Sequence, residues 1–365
     1  MLLIFRFPRN RSPVRAYPND PYKESSWPQG FGQLSQEGMR QHLELGQFLR
    51  KRYQGFLNES YDRHEISVRS TDYDRTLMSA EANLAGLYPP EGRQVFTPNL
   101  SWQPIPVHTV PQSQERLLSF PLGDCPRYKQ LMSETEKTDE FISVTNKYKD
   151  IIDLVRNETG LNSTTVESVW SVYDTLFCEA RHNLTAPDWV TAEVMEKLRI
   201  LKDFGFQVMA VKCSSCRVQW QVISHDTTIA ALQASLNVFS GRQPPYASCH
   251  IFELYRDNGS FSVSMFYRND STVEPYPLLL PNCTLDCPLD DFVRLTKPSI
   301  AEDRDKECQV SSKRENKNVI IGLAVSGCLL FFFIVILLSL ICRQKEPSSS
   351  HRYRHVINQD GGEES

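Results

Sequence analysis

The sequence predicts an α/β fold in which a mixed, largely parallel sheet is flanked by helices and interrupted by a helical insert. A strand–turn–helix pattern occurs twice, with one strand ending at Arg69 and the other just before His225, and its repetition is typical of α/β sheets. Between residues 113 and 204 the strand signals fade and helical spacing dominates. The third observation is an uncharged apolar run of 24 residues from Val319 to Cys342, long enough to cross a bilayer as one C-terminal helix.

The elements before the insert follow from apolar spacing and capping residues. An apolar strand from Leu2 to Phe5 runs directly into a stretch that contains four arginines. Ser35 can cap the helix that follows, because its hydroxyl can accept hydrogen bonds from the first turn. The strand that ends at Arg69 is followed by an amphipathic helix that Pro89 terminates. The proline-rich segment from 102 to 112 is predicted to be extended and to cross between subdomains.

Strand signals return after the insert. Residues 218–222 alternate between apolar and polar side chains, and the helix after them ends at Gly241. The segments HIFELY and FSVSMFY, joined by RDNGS, predict a hairpin. The predicted organisation is an α/β domain built from 1–112 and 205–310, a helical insert from 113–204, a linker from 311–318, a transmembrane helix from 319–342 and a tail from 343–365.

Glycosylation motifs place most of the chain in the secretory pathway. Eight usable Asn-x-Ser/Thr motifs precede the apolar run and none follows it, which predicts a luminal ectodomain. They lie at Asn58, Asn99, Asn157, Asn162, Asn183, Asn258, Asn269 and Asn282. Cationic residues flank both ends of the run, so the charge rule alone does not orient it and the motifs decide. The net charge of -4 argues against a nucleic-acid partner.

Three predicted strand ends carry charged or titratable side chains. The first strand runs into Arg11, the second ends in Arg69, and the third ends at His225 and Asp226. Ligands of α/β sheets bind at such ends, where the following helix N-termini favour anions. Guanidinium groups suit a phosphate dianion, a protonated His225 could hold a phosphate oxygen, and Asp226 with a raised pKa could protonate the leaving alcohol. The pattern predicts a phosphate monoester site, although His-Asp pairs and strand-end arginines are common elsewhere.

Long blocks of the chain resemble the histidine acid phosphatases. They are SSWPQGFGQLSQEGMRQH, VRSTDYDRTLMSAEANLAGLYPPEG, WQPIPVHTVP, VWSVYDTLFCE, SHDTT and PPYASCHIFELY. The resemblance implies an α/β domain with a helical cap, usually as a homodimer, which hydrolyses phosphomonoesters at acidic pH through a phosphohistidine, without a metal or other cofactor. It implies phosphate binding by Arg11, Arg69 and His225, and proton donation by Asp226. The anchor and tail imply a lysosome-directed, single-pass type I membrane protein.

The residue that should attack phosphorus is missing. In the family the first strand leads into Arg-His-Gly-x-Arg-x-Pro. When Arg11 is aligned to the second arginine, Pro8 stands in place of the histidine and Phe7 in place of the first arginine. The segment between Phe206 and Ser224 is shorter than in the family, and the opening MLLIF is too short for a signal peptide. These departures fit either an incomplete or alternatively spliced gene model or a phosphate-binding pseudoenzyme, and both predict negligible turnover.

The cysteines predict disulfides rather than a metal site. By resemblance the pairs are Cys125 with Cys308, Cys178 with Cys249, and Cys283 with Cys287. Cys213 and Cys216 form a Cys-x-x-Cys sequence without the second pair that a zinc site needs, and we attribute it to chance. A luminal thiol oxidoreductase that uses this pair is the remote alternative.

The tail carries one further motif. Residues Tyr353 to Val356 have the tyrosine-x-x-apolar form of an endocytic sorting signal. The resemblance favours this interpretation over a chance tyrosine, and it predicts a cytoplasmic sorting adaptor as a partner.

Overall fold

A computed structural model describes residues 1–6, 10–115, 118, 125–215, 225–300, 303–310 and 313–343. Its strands are β1 (Leu2–Arg6), β2 (Val68–Arg69), β3 (Val107–His108), β4 (Cys249–Asp257), β5 (Ser260–Arg268), β6 (Tyr276–Leu278) and β7 (Cys287–Pro288). Its helices are α1 (Gln36–Arg52), α2 (Asp74–Leu87), α3 (Pro126–Thr135), α4 (Asp139–Lys147), α5 (Lys149–Thr159), α6 (Val166–Arg181), α7 (Ala192–Ser215), α8 (Asp226–Ser235), α9 (Leu289–Thr296), α10 (Arg304–Glu307) and α11 (Lys313–Arg343).

The sheet is antiparallel where the sequence predicted mostly parallel strands. Its order is β1-β4-β5-β6, with β7 also paired to β5, and each of these pairs is antiparallel. The predicted hairpin explains the direction, because β4 and β5 reverse at Asn258 and Gly259, which both have positive φ. Among the described residues, parallel pairing is found between β2 and β3 and at an isolated bridge between Gln54 and Leu57. The strand predicted at 218–222 lies outside the described residues.

Two glycines bring α1 and α2 into close contact. A Cβ on Gly46 would lie 2.0 Å from the carbonyl oxygen of Asn83, and one on Gly86 would lie 2.1 Å from that of Leu43. Both helices were predicted from the sequence and both are present. The Ser35 hydroxyl caps the first helix by accepting from the Gly38 N–H at 3.1 Å. The core beneath them contains Leu45, Leu49, Leu84, Leu87 and Ile251 from β4.

The described residues between 125 and 204 are mostly helical, and their last helix continues past the predicted boundary at 204. Helix α7 runs without a break from Ala192 to Ser215, so the predicted domain boundary falls inside a helix. Val155, Val169 and Leu198, on three helices of the insert, are fully buried against one another. The segment after Arg11 lies on these helices: the hydroxyl of Thr175 donates to the carbonyl oxygen of Arg15 at 2.9 Å.

Two of the three disulfides implied by resemblance are present. Cys125 is bonded to Cys308, and Cys283 to Cys287. The implied bond between Cys178 and Cys249 is wrong for the described chain, which contains no such bridge. The sulfur of Cys178 lies instead 3.8 Å from Nη1 of Arg11 and 3.8 Å from the hydroxyl of Tyr246.

Residues 1–310 and 311–365 form separate compact units. In the second unit, α11 includes a segment from Ile321 to Ile341 that is long and apolar enough to cross a membrane, and it is the one such helix within the described ranges. The proposed linker residues 313–318 belong to the same helix. The sorting motif from Tyr353 to Val356 lies outside the described residues, as does Cys216 of the Cys-x-x-Cys sequence.

Candidate active site

Arg11 is a buried arginine held by a carboxylate from the insert. Its Nη2 donates to Oδ1 of Asp174 at 2.9 Å and its Nη1 to Oδ2 at 3.0 Å, which is the bidentate geometry that guanidinium groups prefer. Nη1 also donates to the carbonyl oxygen of Ser12 at 3.1 Å. Burial alone would lower the pKa of Arg11, but the charge and hydrogen bonds of Asp174, together with Tyr246 and Cys178, hold the pKa well above its ordinary value. Arg11 is therefore a permanent cation in this site.

His225 and Asp226 stand at the start of α8. His225 is the N-cap residue in an extended conformation, and Asp226 is the first helical residue. Burial, with smaller contributions from Arg75 and Arg11, lowers the pKa of His225 to about 3. This shift favours a neutral imidazole, against the expectation that His225 is protonated at acidic pH.

Asp226 has the environment that a proton donor needs. It is 7% exposed, and burial raises its pKa above the ordinary value, opposed by hydrogen bonds from Gln243 and from the Thr227 backbone N–H at 2.8 Å. The side chain of Gln243 donates through Nε2 to Oδ2 of Asp226. A carboxyl group that stays protonated further above its usual range can give its proton to a leaving oxygen.

Arg75, in the first turn of α2, is a site residue that the sequence reasoning missed. Its guanidinium carbon lies 4.7 Å from the centroid of the Tyr73 ring, and that ring meets His225 edge-on with centroids 5.3 Å apart. Burial and then the charge of Arg11 lower the pKa of Arg75, while Asp226 and Asp174 act in the opposite direction. Arg75 therefore shares one electrostatic site with the residues at the start of α8.

Arg69, which the sequence placed at the phosphate, has another partner. Its Nη2 donates to Oε2 of the buried Glu115 at 2.9 Å. Oε1 of Glu115 accepts from the Leu118 N–H at 2.9 Å, and the Leu118 carbonyl accepts from the Thr228 hydroxyl at 3.2 Å. This chain of hydrogen bonds connects Arg69 to Thr228 in the first turn of α8. Arg69 can therefore help to position the start of α8, which carries His225 and Asp226. The block RSTDYDR contains both arginines, and only helix geometry distinguishes them.

Phe7, Pro8 and Arg9 lie outside the described residues. Among the residues that the structure describes, no group of three or more His, Cys, Asp and Glu side chains is arranged to hold a metal ion. The described side chains that interact in this site are the guanidinium groups of Arg11 and Arg75, the imidazole of His225 and the carboxyl group of Asp226.

A cavity of about 390 Å³ borders the Arg11–Asp174 ion pair. Asp174, Phe177 and Tyr246 contribute to its wall, and the rings of Phe177 and Tyr246 have centroids 5.9 Å apart. Lys202 adds a cation that pairs with Asp203 at 2.8 Å. The space beside the ion pair is thus both aromatic and charged.

Comparison with known proteins shows the family to which this chain belongs. The model of the "histidine phosphatase superfamily (branch 2)" matches residues 6–211. Lysosomal acid phosphatase of Homo sapiens is 52% identical over 378 aligned positions, which cover 96% of this chain and 89% of that protein. Prostatic acid phosphatase of Homo sapiens is 45% identical, over 86% of this chain and 88% of that protein. The solved phytase of Citrobacter braakii shares the fold, with a TM-score of 0.61 at 17% identity over 85% of this chain and 99% of that one. The chain belongs to branch 2 of the histidine phosphatase superfamily.

Proposed function

We propose that this chain binds phosphate monoesters at acidic pH in a site of the acid phosphatase type. The observation that carries the proposal is the convergence of Arg11, Arg75, His225 and Asp226, which come from three separate stretches of the chain. The names of the 52% and 45% identical relatives, lysosomal and prostatic acid phosphatase, support the same class of substrate.

The electrostatics favour an anion in this site. Asp174 compensates the charge of Arg11, whereas the ion pairs found among the described residues include none for Arg75. With Asp226 protonated and His225 neutral, the half-buried positive charge of Arg75 is left over, and a phosphate monoester can neutralise it. A phosphoryl oxygen can also compete with Asp174 for the fork of Arg11, because both acceptors suit bidentate geometry.

We further propose that turnover is negligible because Pro8 stands at the position of the attacking histidine. Proline carries no nucleophile, so phosphate can bind while no phosphohistidine forms at that position. The site would then be a phosphate-binding one, and hydrolysis would depend on restoring a histidine.

Calorimetry and kinetics on the full chain test both statements. We expect inorganic phosphate to bind saturably at pH 5 and p-nitrophenyl phosphate to be turned over negligibly. The double variant Phe7→Arg, Pro8→His should gain turnover, while Phe7→Arg alone serves as the matched control. Absence of phosphate binding would remove the proposed function. Equal turnover in all three proteins would show that the nucleophile lies elsewhere.

We also propose that the first unit is luminal, anchored by α11 in the lysosomal membrane, and assembles as a homodimer whose tail binds sorting adaptors. All eight glycosylation asparagines are exposed, as glycan attachment requires. The name of the lysosomal relative supports the compartment. A mass shift on glycosidase treatment of membranes from expressing cells tests the orientation, and an unshifted chain would reverse it.

A further inference from the structure

The loop after α8 connects the candidate proton donor to the helical insert through one residue. The side chain of Gln243 donates to Oδ2 of Asp226, and its backbone N–H donates to Oδ1 of Asp203 at 3.1 Å. Asp203 lies on α7, so the two ends of this residue contact different parts of the fold. A single residue therefore fixes the distance between α7 and the carboxyl group of Asp226.

The attachment to α7 is well supported. Asp203 is itself held by Lys202 at 2.8 Å and by Arg199 at 3.1 Å. Gly241 has a φ of +78°, which favours glycine, and it lies against α7. A Cβ at this position would be 3.7 Å from the side chain of Gln207 on that helix. The loop thus contacts α7 at two positions, Gly241 beside Gln207 and Gln243 at Asp203.

The contact with Asp226 has a chemical consequence. The amide of Gln243 can donate to a carboxylate but cannot supply or remove a proton, so it stabilises the ionised form and fixes one oxygen. Oδ1 accepts from the Thr227 N–H, which leaves the orientation of the carboxyl group fully determined. The hydrogen bond from Gln243 opposes the effect of burial on Asp226.

Other charged groups also act on Asp226 and must be separated from Gln243. Arg11 favours its ionised form and Asp174 disfavours it. Arg75 interacts with it across the site, and neutral His225 precedes it in the chain. None of these groups is changed by a substitution at position 243, so a variant there isolates the amide.

We propose that Gln243 is a positioning residue that orients Asp226 and couples it to the helical insert through Asp203. This inference rests on the proposed function, because it assigns a role relative to the phosphate site. It predicts that the pH range over which phosphate binds depends on a residue that need not touch phosphate.

The test measures the affinity of inorganic phosphate from pH 4 to 8 in the full chain and in Gln243→Met, which keeps the length of the side chain but cannot donate. An ionised Asp226 repels phosphate, so affinity falls as that carboxyl group loses its proton. Dividing the affinity of the variant by that of the wild type at each pH cancels the titration of phosphate itself. We expect a ratio near one at pH 4 that rises about tenfold at higher pH, the size of one hydrogen bond to a charged group.

Two further variants make the result decisive. Gln103→Met removes a glutamine that donates to the carbonyl oxygen of Tyr88 at 3.1 Å, outside the cavity beside Arg11, and its affinity ratio should stay flat. Asp203→Ala frees the loop and should change the profile in the same direction as Gln243→Met, which also covers the case in which that variant does not fold. Phosphate binding with flat ratios in both Gln243→Met and Asp203→Ala overturns the inference. Loss of phosphate binding in the wild type overturns the proposed function instead.

Discussion

A buried pair of carboxyl groups should make this protein more stable at acidic than at neutral pH. Asp20, in the segment after Arg11, and Glu179, on α6, are 2% and 1% exposed and hydrogen-bonded to each other. Two buried carboxyl groups that interact with each other favour a state in which one of them keeps its proton. Burial, with the charge of Asp20, raises the pKa of Glu179 to about 8 from an ordinary value of 4.5.

The sign and size of the effect follow from this shift. Between pH 4.5 and 8 the folded protein holds a proton on Glu179 that the unfolded chain has lost, so the free energy of unfolding falls as pH rises. One proton gives a slope of at most about 1.4 kcal/mol per pH unit, or about 2.7 kcal/mol between pH 5 and pH 7. Tyr17, Lys23 and Cys178 also lie close enough to interact with the pair, so the slope belongs to the cluster.

The variant Glu179→Gln isolates the contribution of the pair. Its amide can donate to Asp20 at every pH, as protonated Glu179 does, so its stability should depend less on pH. Buried His225 and His250, whose pKa values are lowered to about 3, give slopes of the opposite sign. The quantity to measure is therefore the difference in stability between Glu179→Gln and the wild type as a function of pH.

Thermal midpoints at pH 5, 6 and 7 provide the measurement. We expect the wild type to lose roughly 5 °C relative to Glu179→Gln between pH 5 and pH 7. Glu158→Gln, which changes an exposed carboxylate on α5, should follow the wild type. Parallel curves for Glu179→Gln and the wild type would mean that no proton is held by this pair, and the reasoning would fail.

Three further predictions concern the site and the packing. Arg75→Met should lower phosphate affinity at pH 5 at least tenfold in calorimetry, as expected for loss of a charge-assisted contact. Arg69→Met should mainly lower the thermal midpoint. The reverse pattern would contradict the site described. Gly46→Ala should destabilise the fold by about 3 kcal/mol in denaturant titration, because its Cβ would lie 2.0 Å from the Asn83 carbonyl, and an unchanged midpoint would show that the helices can separate. Cys125→Ser removes a disulfide whose cysteines are 183 positions apart and should cost about 2–5 kcal/mol of unfolding free energy. Cys283→Ser removes one whose cysteines are 4 positions apart and should cost less. Equal losses would contradict an effect of chain entropy.

Local sequence patterns predicted the elements well because each carries its own physical signal. Ser35 caps α1 as predicted, and the turn at Asn258 and Gly259 forms the predicted hairpin. Such local patterns did not predict that neighbouring strands of the main sheet are antiparallel. Strand–turn–helix repetition suggests parallel strands, but the pairing of β1 with β4 joins residues about 250 positions apart, and no local signal encodes that choice.

The site shows the same limit at the level of single residues. Arg69 and Arg75 lie six positions apart in one matched block, and both are cations near a strand end. The strand carries Arg69 to the buried Glu115, whereas the first turn of α2 carries Arg75 to Tyr73 and His225. The partners decide the roles, and they come from distant parts of the chain.

The contacts of α6 indicate that the insert belongs to the site rather than merely covering it. Asp174 holds Arg11 by two hydrogen bonds, and Glu179, five residues later, holds Asp20 in the same N-terminal segment. Helix α7 adds the Asp203–Gln243 connection to Asp226. The cation that would bind phosphate and the acid that would donate a proton are thus both oriented by helices of the insert. Because Asp174 occupies the fork of Arg11 when phosphate is absent, a bound phosphoryl group must either displace α6 slightly or bind the outer face of the guanidinium. If phosphate displaces Asp174, it weakens the contact between Arg11 and α6, and the stability of the insert and occupancy of the site are then thermodynamically linked.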